Sequence, residues 1–330
     1  MIRAFTLPLA RPLPTARGTI ETRSGVLFAR DGGVGEATPL PGWTESLEDC
    51  GSALRAADAA DDWASALAAC EDAPAARHAV SLAKLDAEAR NADVPLAAHL
   101  ADDPADSVAV NATVGDANAQ DTAEAVRNAA DAGFDTVKVK VGARSLDEDV
   151  ERLRAAHAVT DATLRADANG AWSRERAREA FERLEGLHVA YVEQPLSADD
   201  LEGHRGLGDD GVGVALDEAL VTHEYEAVLD AADYVVLKPM VLGGVDRARE
   251  AALEAREADV EPVVTTTVDA VVARTAALHL AASLPDLPAC GLATADRLAE
   301  DFAADPAPVA EGRMVVPDAP GHGVEVSVDA

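Results

Sequence analysis

Lysine is almost missing from this chain of 330 residues, in which four lysines stand against 24 arginines. Basic residues together number 28 against 60 aspartates and glutamates, leaving a formal charge of -32. Such a charge repels nucleic-acid phosphates and anionic lipid heads, so neither is expected as a partner. The acids are spread over the whole length and not gathered into a tail, the pattern expected of a surface adapted to concentrated salt, where screening relieves self-repulsion. Cysteine is scarce as well. Cys50, Cys70 and Cys290 are far apart and form no CxxC pair, which excludes a zinc framework or a disulfide scaffold and fits a reduced cytoplasm. No stretch reaches the roughly 18 apolar residues of a membrane span, and Met1 to Leu9 lacks the basic and apolar regions of a leader. A soluble cytoplasmic protein is expected.

What remains of lysine is informative. Arginine stays charged at any ordinary pH, whereas a desolvated lysine can release its proton and act as a base. The retained residues are Lys84, Lys138, Lys140 and Lys238, and retention against so strong a bias points to chemistry.

The length suits one barrel of about 200 to 250 residues with a smaller companion. In residues 1–103, a strand-like run from Ile20 to Ala29 leads through Gly32, Gly33 and Gly35 to Glu36 and the turn Pro39-Leu40-Pro41-Gly42. Ala-rich stretches at Leu47 to Glu71 and Ala75 to Ala89 carry apolar residues at helical spacing. This part reads as an α+β capping domain. In residues 104–295, β-branched runs alternate with helical stretches, as in a parallel barrel. The expected strands are Val108 to Thr113, Thr136 to Val141, Ala162 to Ala166, Val189 to Val192, Gly213 to Leu216, Tyr234 to Leu237 and Pro262 to Thr266. Residues 296–330 read as a helix and a hairpin-like end, Arg313 to Pro317 and Gly323 to Val328, packing back on the capping domain.

Polar residues punctuate the strand ends. Lys140, Asp167, Glu193, Asp217 and Lys238 follow one another at 27, 26, 24 and 21 residues, each about one βα unit. They are therefore expected at the C-terminal face of the barrel, from which barrel enzymes build their sites. Lys138 and Lys140 alternate with Val137, Val139 and Val141, so strand periodicity puts both amines on one face. Three converging carboxylates resist ionisation unless a cation sits among them, and oxygen-only ligation favours Mg²⁺. Lysines on either side of such a centre suit removal of a proton next to a carboxylate.

Together KxK, DxN, VEQP, the Asp-Glu pair after VAL, and LKP followed by Gly-Gly resemble the muconate-lactonizing subgroup of the enolase superfamily. The resemblance covers most of the chain and implies a modified (β/α)7β TIM-like barrel with an α+β capping domain. It implies Asp167, Glu193 and Asp217 as Mg²⁺ ligands, with Mn²⁺ a substitute, and Lys140 as acid/base. Lys238 would stand on the opposite face. Lys138 would be the neighbour that lowers the proton affinity of Lys140, and Asn169 and Glu218 would supply hydrogen bonds nearby. The substrate implied is a small carboxylate, and assembly into a homo-oligomer stays open.

Within the subgroup, Gly291-Leu292-Ala293-Thr294 is similar to the GLxT pattern of o-succinylbenzoate synthases. That implies a lyase performing syn-dehydration of 2-succinyl-6-hydroxy-2,4-cyclohexadiene-1-carboxylate in menaquinone biosynthesis. Thr265, Thr267, Gly291 and Thr294 are then expected near substrate. N-acylamino acid racemase, dipeptide epimerase and muconate cycloisomerase share the enolate step and stay open. The Asp-x-Asp pair usual in dipeptide epimerases does not occur at this point of the sequence. A Schiff-base aldolase barrel acting through Lys238, or a barrel serving only as a binding protein, are more distant readings.

Overall fold

The computed structural model describes residues 1–15, 18–208 and 211–328. An antiparallel sheet comes first, ordered β1 (Ile2–Thr15), β2 (Gly18–Arg30) and β3 (Gly33–Ala37). Four helices follow, α1 (Leu47–Asp58), α2 (Trp63–Ala68), α3 (Pro74–Asn91) and α4 (Leu96–Leu100). The helical stretch expected from Leu47 to Glu71 is divided into α1 and α2, because the Asp62 carboxylate accepts from Ser65 N–H and starts a new helix. Gly33 and Gly35 allow α3 to lie directly on β3. A Cβ at Gly33 would meet the Ala83 carbonyl oxygen, and one at Gly35 the Ala79 carbonyl oxygen. Since helix backbone has no rotamer with which to yield, Gly35→Ala is expected to cost about 3 kcal/mol in urea unfolding. A loss below about 0.5 kcal/mol would show that the helix shifts freely.

The next strand, β4 (Ser107–Ala109), lies outside the barrel. Seven parallel strands then pair in chain order: β5 (Ala112–Val114), β6 (Thr136–Lys140), β7 (Thr163–Asp167), β8 (Val189–Glu193), β9 (Gly213–Leu216), β10 (Tyr234–Leu237) and β11 (Glu261–Val264). Between them run α5 (Ala119–Asp131), α6 (Leu146–His157), α7 (Arg174–Leu184), α8 (Leu201–Arg205), α9 (Ala219–Thr222), α10 (Tyr225–Leu229), α11 (Pro239–Leu242) and α12 (Val245–Glu257), with α13 (Val271–Ala282) after β11. The expected first strand, Val108 to Thr113, is interrupted at Val110 and Asn111. These two residues take part in closing the ring. Cys290 N–H donates to Ala109 O at 2.8 Å, Asn111 N–H to Cys290 O at 3.0 Å and Gly291 N–H to Val264 O at 2.9 Å. An eighth extended stretch thereby joins β11 to the start of β5.

Period-two alternation fixes what each strand face does. Val137 and Val139 are fully buried beneath the outer helices with Val126, Val150 and Leu153, while Lys138 and Lys140 take the opposite face. Deeper in the barrel, Tyr191, Ala215, Val236 and Val263 form a separate apolar cluster, and the Arg165 guanidinium lies 4.8 Å from the centre of the Tyr191 ring. The barrel is a filled core with its polar groups at one end.

The C-terminal stretch differs from expectation. Only a short 3₁₀ turn, Ala295–Arg297, forms where a helix was expected. Leu298 instead bridges to Leu9 in β1, and Pro306 and Pro308 prevent helix continuation. The hairpin does not form either. β12 (Arg313–Val315) pairs antiparallel with β4, Pro317 follows, and residues 323–328 carry no strand. Residues 329 and 330, the last of the expected 296–330 segment, lie outside the described residues.

His279 in α13 is fully buried, accepting from Ala97 N–H at Nδ1 (3.1 Å) and facing the His322 carbonyl with Nε2 (3.3 Å). Burial lowers its pKa from 6.5 to about 4, against the weaker opposing pull of the His322 carbonyl. The unfolded chain binds this proton near pH 6.5 but the folded chain does so only near pH 4, so stability from His279 is full above the first value and is drawn down as pH falls toward the second. His279→Gln should flatten the pH dependence of urea unfolding over that interval. An unchanged slope would count against the neutral ring.

Candidate active site

Parallel register places Lys140 beside Asp167, and Asp167 beside Glu193. The side chains meet as this register requires. Lys140 Nζ donates to Asp167 Oδ2 at 2.6 Å and to Asn169 Oδ1 at 2.9 Å. Lys138 Nζ reaches Asp167 Oδ2 at 3.0 Å and the two Glu193 oxygens at 3.0 and 3.1 Å. One aspartate oxygen therefore lies between two ammonium groups. Across the mouth, Lys238 Nζ donates to both Asp217 oxygens at 2.6 Å. Asn169 also donates through Nδ2 to Glu218 Oε1 at 3.1 Å, while buried Glu218 Oε2 has no partner. The fourth lysine, Lys84, makes an ordinary surface pair with Glu88 in α3.

Electrostatics divide the acids. Burial alone would raise the Asp167 carboxyl, but Lys138 and Lys140 hold it well below the usual range. Glu193 moves upward, because burial and the charge of Asp167 outweigh Lys138. Asp217 is also raised by burial despite Lys238, with Glu218 adding repulsion. Lys138 is desolvated, yet Asp167 and Glu193 keep its affinity for the proton well above the ordinary lysine value.

Backbone and neighbours hold this arrangement. Asn169 and Gln194 sit in the left-handed region, at φ 44° and 41°, two residues and one residue beyond the ends of β7 and β8. Strained conformations of this kind persist where surrounding contacts over-determine them. Gln194 is fully buried, and its Oε1 accepts from Asp217 N–H at 3.1 Å and Ala219 N–H at 3.2 Å. It fixes the turn that carries Asp217 and Glu218. Sequence reading passes over Gln194 because a glutamine in a strand-end motif does not announce a backbone partner 23 residues later. Trp43 is missed too. Its indole covers Lys238 Nζ at 3.5 Å from the ring centroid, a cation–π contact made by the turn after β3.

The remaining expected residues form a second group, where β11 meets the eighth stretch. Thr265 Oγ1 donates to Gly291 O at 2.9 Å, and the hydroxyls of Thr266 and Thr294 are 3.0 Å apart. Thr267 is buried and its hydroxyl is bound to Asp269. Among the described residues these hydroxyls are bound to one another, to backbone and to Asp269, and no hydrogen bond joins them to the lysine and carboxylate cluster.

No three carboxylates among the described residues are grouped closely enough to hold a metal ion; Lys138 lies between Asp167 and Glu193, and Lys238 is paired with Asp217. The donor set nevertheless fits a hard divalent cation. All four acids offer oxygen, two are pushed toward protonation by burial, and one buried oxygen of Glu218 is unpartnered.

A nearly closed parallel barrel with lysines and carboxylates at its C-terminal mouth, overlaid by a separate antiparallel sheet, defines the class of α/β-barrel enzyme folds with a capping sheet. Within that class the chain belongs to the enolase superfamily, as its residues 121–330 match the family model described as Enolase C-terminal domain-like. It is 40% identical over 214 residues to an o-succinylbenzoate synthase of Thermobifida fusca, a match covering 61% of this chain and 64% of that protein's length. It is 28% identical over 262 residues to a chloromuconate cycloisomerase of Cupriavidus pinatubonensis, covering 77% and 71%. Among solved structures, a dipeptide epimerase of Methylococcus capsulatus complexed with Mg and a dipeptide superimposes with a TM-score of 0.87 at 28% identity, covering 98% of each chain.

Proposed function

We propose that this protein is a Mg²⁺-dependent o-succinylbenzoate synthase, with Asp167, Glu193 and Asp217 as metal ligands and Mn²⁺ able to substitute. The observation that carries the reading is the 40% identity to the Thermobifida fusca synthase. The Lys140 amine removes the proton beside the substrate carboxylate, and the proton stays on Nζ. The same ammonium then protonates the departing hydroxyl on the same face, so water leaves and the ring becomes aromatic. Mg²⁺, when bound, supplies charge stabilisation to the developing enediolate. Lys138 bridges Asp167 and Glu193 and orients them. Lys238, held by Asp217 and Trp43, presents a cation to the opposite ring face.

The placement of Lys140 and Lys238 against carboxylates of different strands also suits a racemase or epimerase, in which the two amines would act on opposite faces, and the likeness to the dipeptide epimerase supports that second reading. Parallel incubations in D₂O separate the two. The synthase reading expects dehydration of the cyclohexadiene carboxylate far faster than α-deuterium incorporation into N-acylamino acids or dipeptides. Rapid incorporation without dehydration would overturn it. We further propose that the charge of -32 adapts the protein to concentrated salt, so these assays belong there.

A further inference from the structure

We infer that Arg23, a buried residue of the capping sheet, is a positioning residue that fixes Trp43 and the loop after β11 relative to one another at the barrel mouth. Its guanidinium touches three backbone carbonyls and makes no direct ion pair among the described residues. Nη2 donates to Thr38 O at 2.7 Å, Nη1 to Pro39 O at 3.1 Å and Nε to Val268 O at 3.3 Å. Two of these acceptors begin the turn that carries Trp43. The third belongs to the loop that follows Thr265, Thr266 and Thr267. A planar fork, with donors on three separate nitrogens in fixed geometry, is better suited to joining two such segments than the point charge of an ammonium.

Both segments need the restraint. Val268 stands at φ 62°, a conformation that a β-branched residue adopts only under constraint. On its far side the loop is fastened by Glu36, which accepts from Ala270 N–H at 2.8 Å and Ala273 N–H at 2.9 Å at the start of α13. The turn is closed by Leu40 N–H to Thr44 Oγ1 at 2.9 Å and Trp43 N–H to Leu40 O at 3.0 Å. Thr38 N–H also points at the Met240 sulfur, at 3.4 Å, two residues beyond Lys238. Arg23 thus sits where the approach of the Trp43 indole to Lys238 and the course of the 265–269 loop are decided together.

This inference rests on the site proposed above, but its test does not need turnover. The chain has three tryptophans, so 5-fluorotryptophan labelling gives three ¹⁹F signals, with Trp63 and Trp172 as internal controls and Trp43→Phe for assignment. Arg23→Lys is expected to shift or broaden the Trp43 signal alone. For the cyclohexadiene carboxylate it should raise KM about tenfold with kcat within about twofold. All three signals unchanged in folded protein, or all three displaced together, would overturn the inference. If Arg23→Lys does not fold, Val268→Gly decides: it relieves the left-handed strain from the loop side and should broaden the Trp43 signal, and an unmoved signal would overturn the link. A selective Trp43 response without any dehydration would leave this inference standing while the synthase reading fell.

Discussion

Lys140→Ala is expected to lower dehydration of 2-succinyl-6-hydroxy-2,4-cyclohexadiene-1-carboxylate by about 10²- to 10⁴-fold, the range for loss of a general acid or base, and toward its upper end for a group that acts as both. Fold and metal affinity should survive, because Asp167 keeps Lys138 as partner at 3.0 Å. Lys140→Arg should be nearly as damaging, since a guanidinium fills the place and keeps the charge but does not give up its proton. The paired variants separate charge from proton transfer. Ultraviolet progress curves under single-turnover conditions give the rate directly. An arginine variant retaining more than about one tenth of wild-type turnover would mean that Lys140 supplies charge alone.

Glu193→Gln carries the second large effect, and its two consequences run in opposite directions. Burial and the charge of Asp167 make the Glu193 carboxylate costly to hold in the metal-free fold. Replacing it with a neutral amide of the same shape removes that cost, so the metal-free variant should be at least as stable as wild type. Mg²⁺ affinity should fall by about 100-fold or more, since a charged ligand is lost from a centre that depends on charge. Wild type at about 100 times its dissociation constant gains about 2.7 kcal/mol from the metal, and the variant should gain almost none. Thermal unfolding with and without Mg²⁺, joined to calorimetric titration, measures both. Mg²⁺ stabilisation that is equal in the two proteins would remove Glu193 from the metal centre.

The lysine and carboxylate cluster was legible in the sequence because strand periodicity and βα spacing are local rules. Lys138 and Lys140 had to share a face, and Asp167, Glu193 and Asp217 had to end successive strands. The residues that hold them in place were not legible. Arg23 meets Val268 across 245 residues and Gln194 meets Asp217 across 23, and no local period reports either contact. The first strand was hidden for a different reason. Pro8, Pro12 and Pro14 argue against a strand, yet β1 is at the edge of its sheet and its register shifts between Pro8 and Leu13, where missing N–H donors are tolerated. The C-terminal stretch misled in the opposite way. Its acidic, Ala-rich composition reads as helix, but pairing of Leu298 with Leu9 and the prolines that follow take it elsewhere.

Thr265, Thr267, Gly291 and Thr294, expected near substrate, also have structural partners. Thr265 is bound to Gly291 and Thr294 lies beside Thr266 at the seam where the barrel closes, while Thr267 is bound to Asp269. A GLxT segment is therefore explained in part by closure of the ring. Trp43, which none of these motifs includes, lies with its ring centroid 3.5 Å from Lys238 Nζ.

An enolate-forming centre at the barrel mouth is tested most directly by one measurement. Folded wild-type protein in concentrated salt is loaded with Mg²⁺ and given the cyclohexadiene carboxylate, and loss of the diene is followed in the ultraviolet. Multiple turnovers are expected that stop on addition of a chelator and resume when Mg²⁺ is restored. Absence of turnover from folded, Mg²⁺-loaded protein, or turnover indifferent to the chelator, would contradict it.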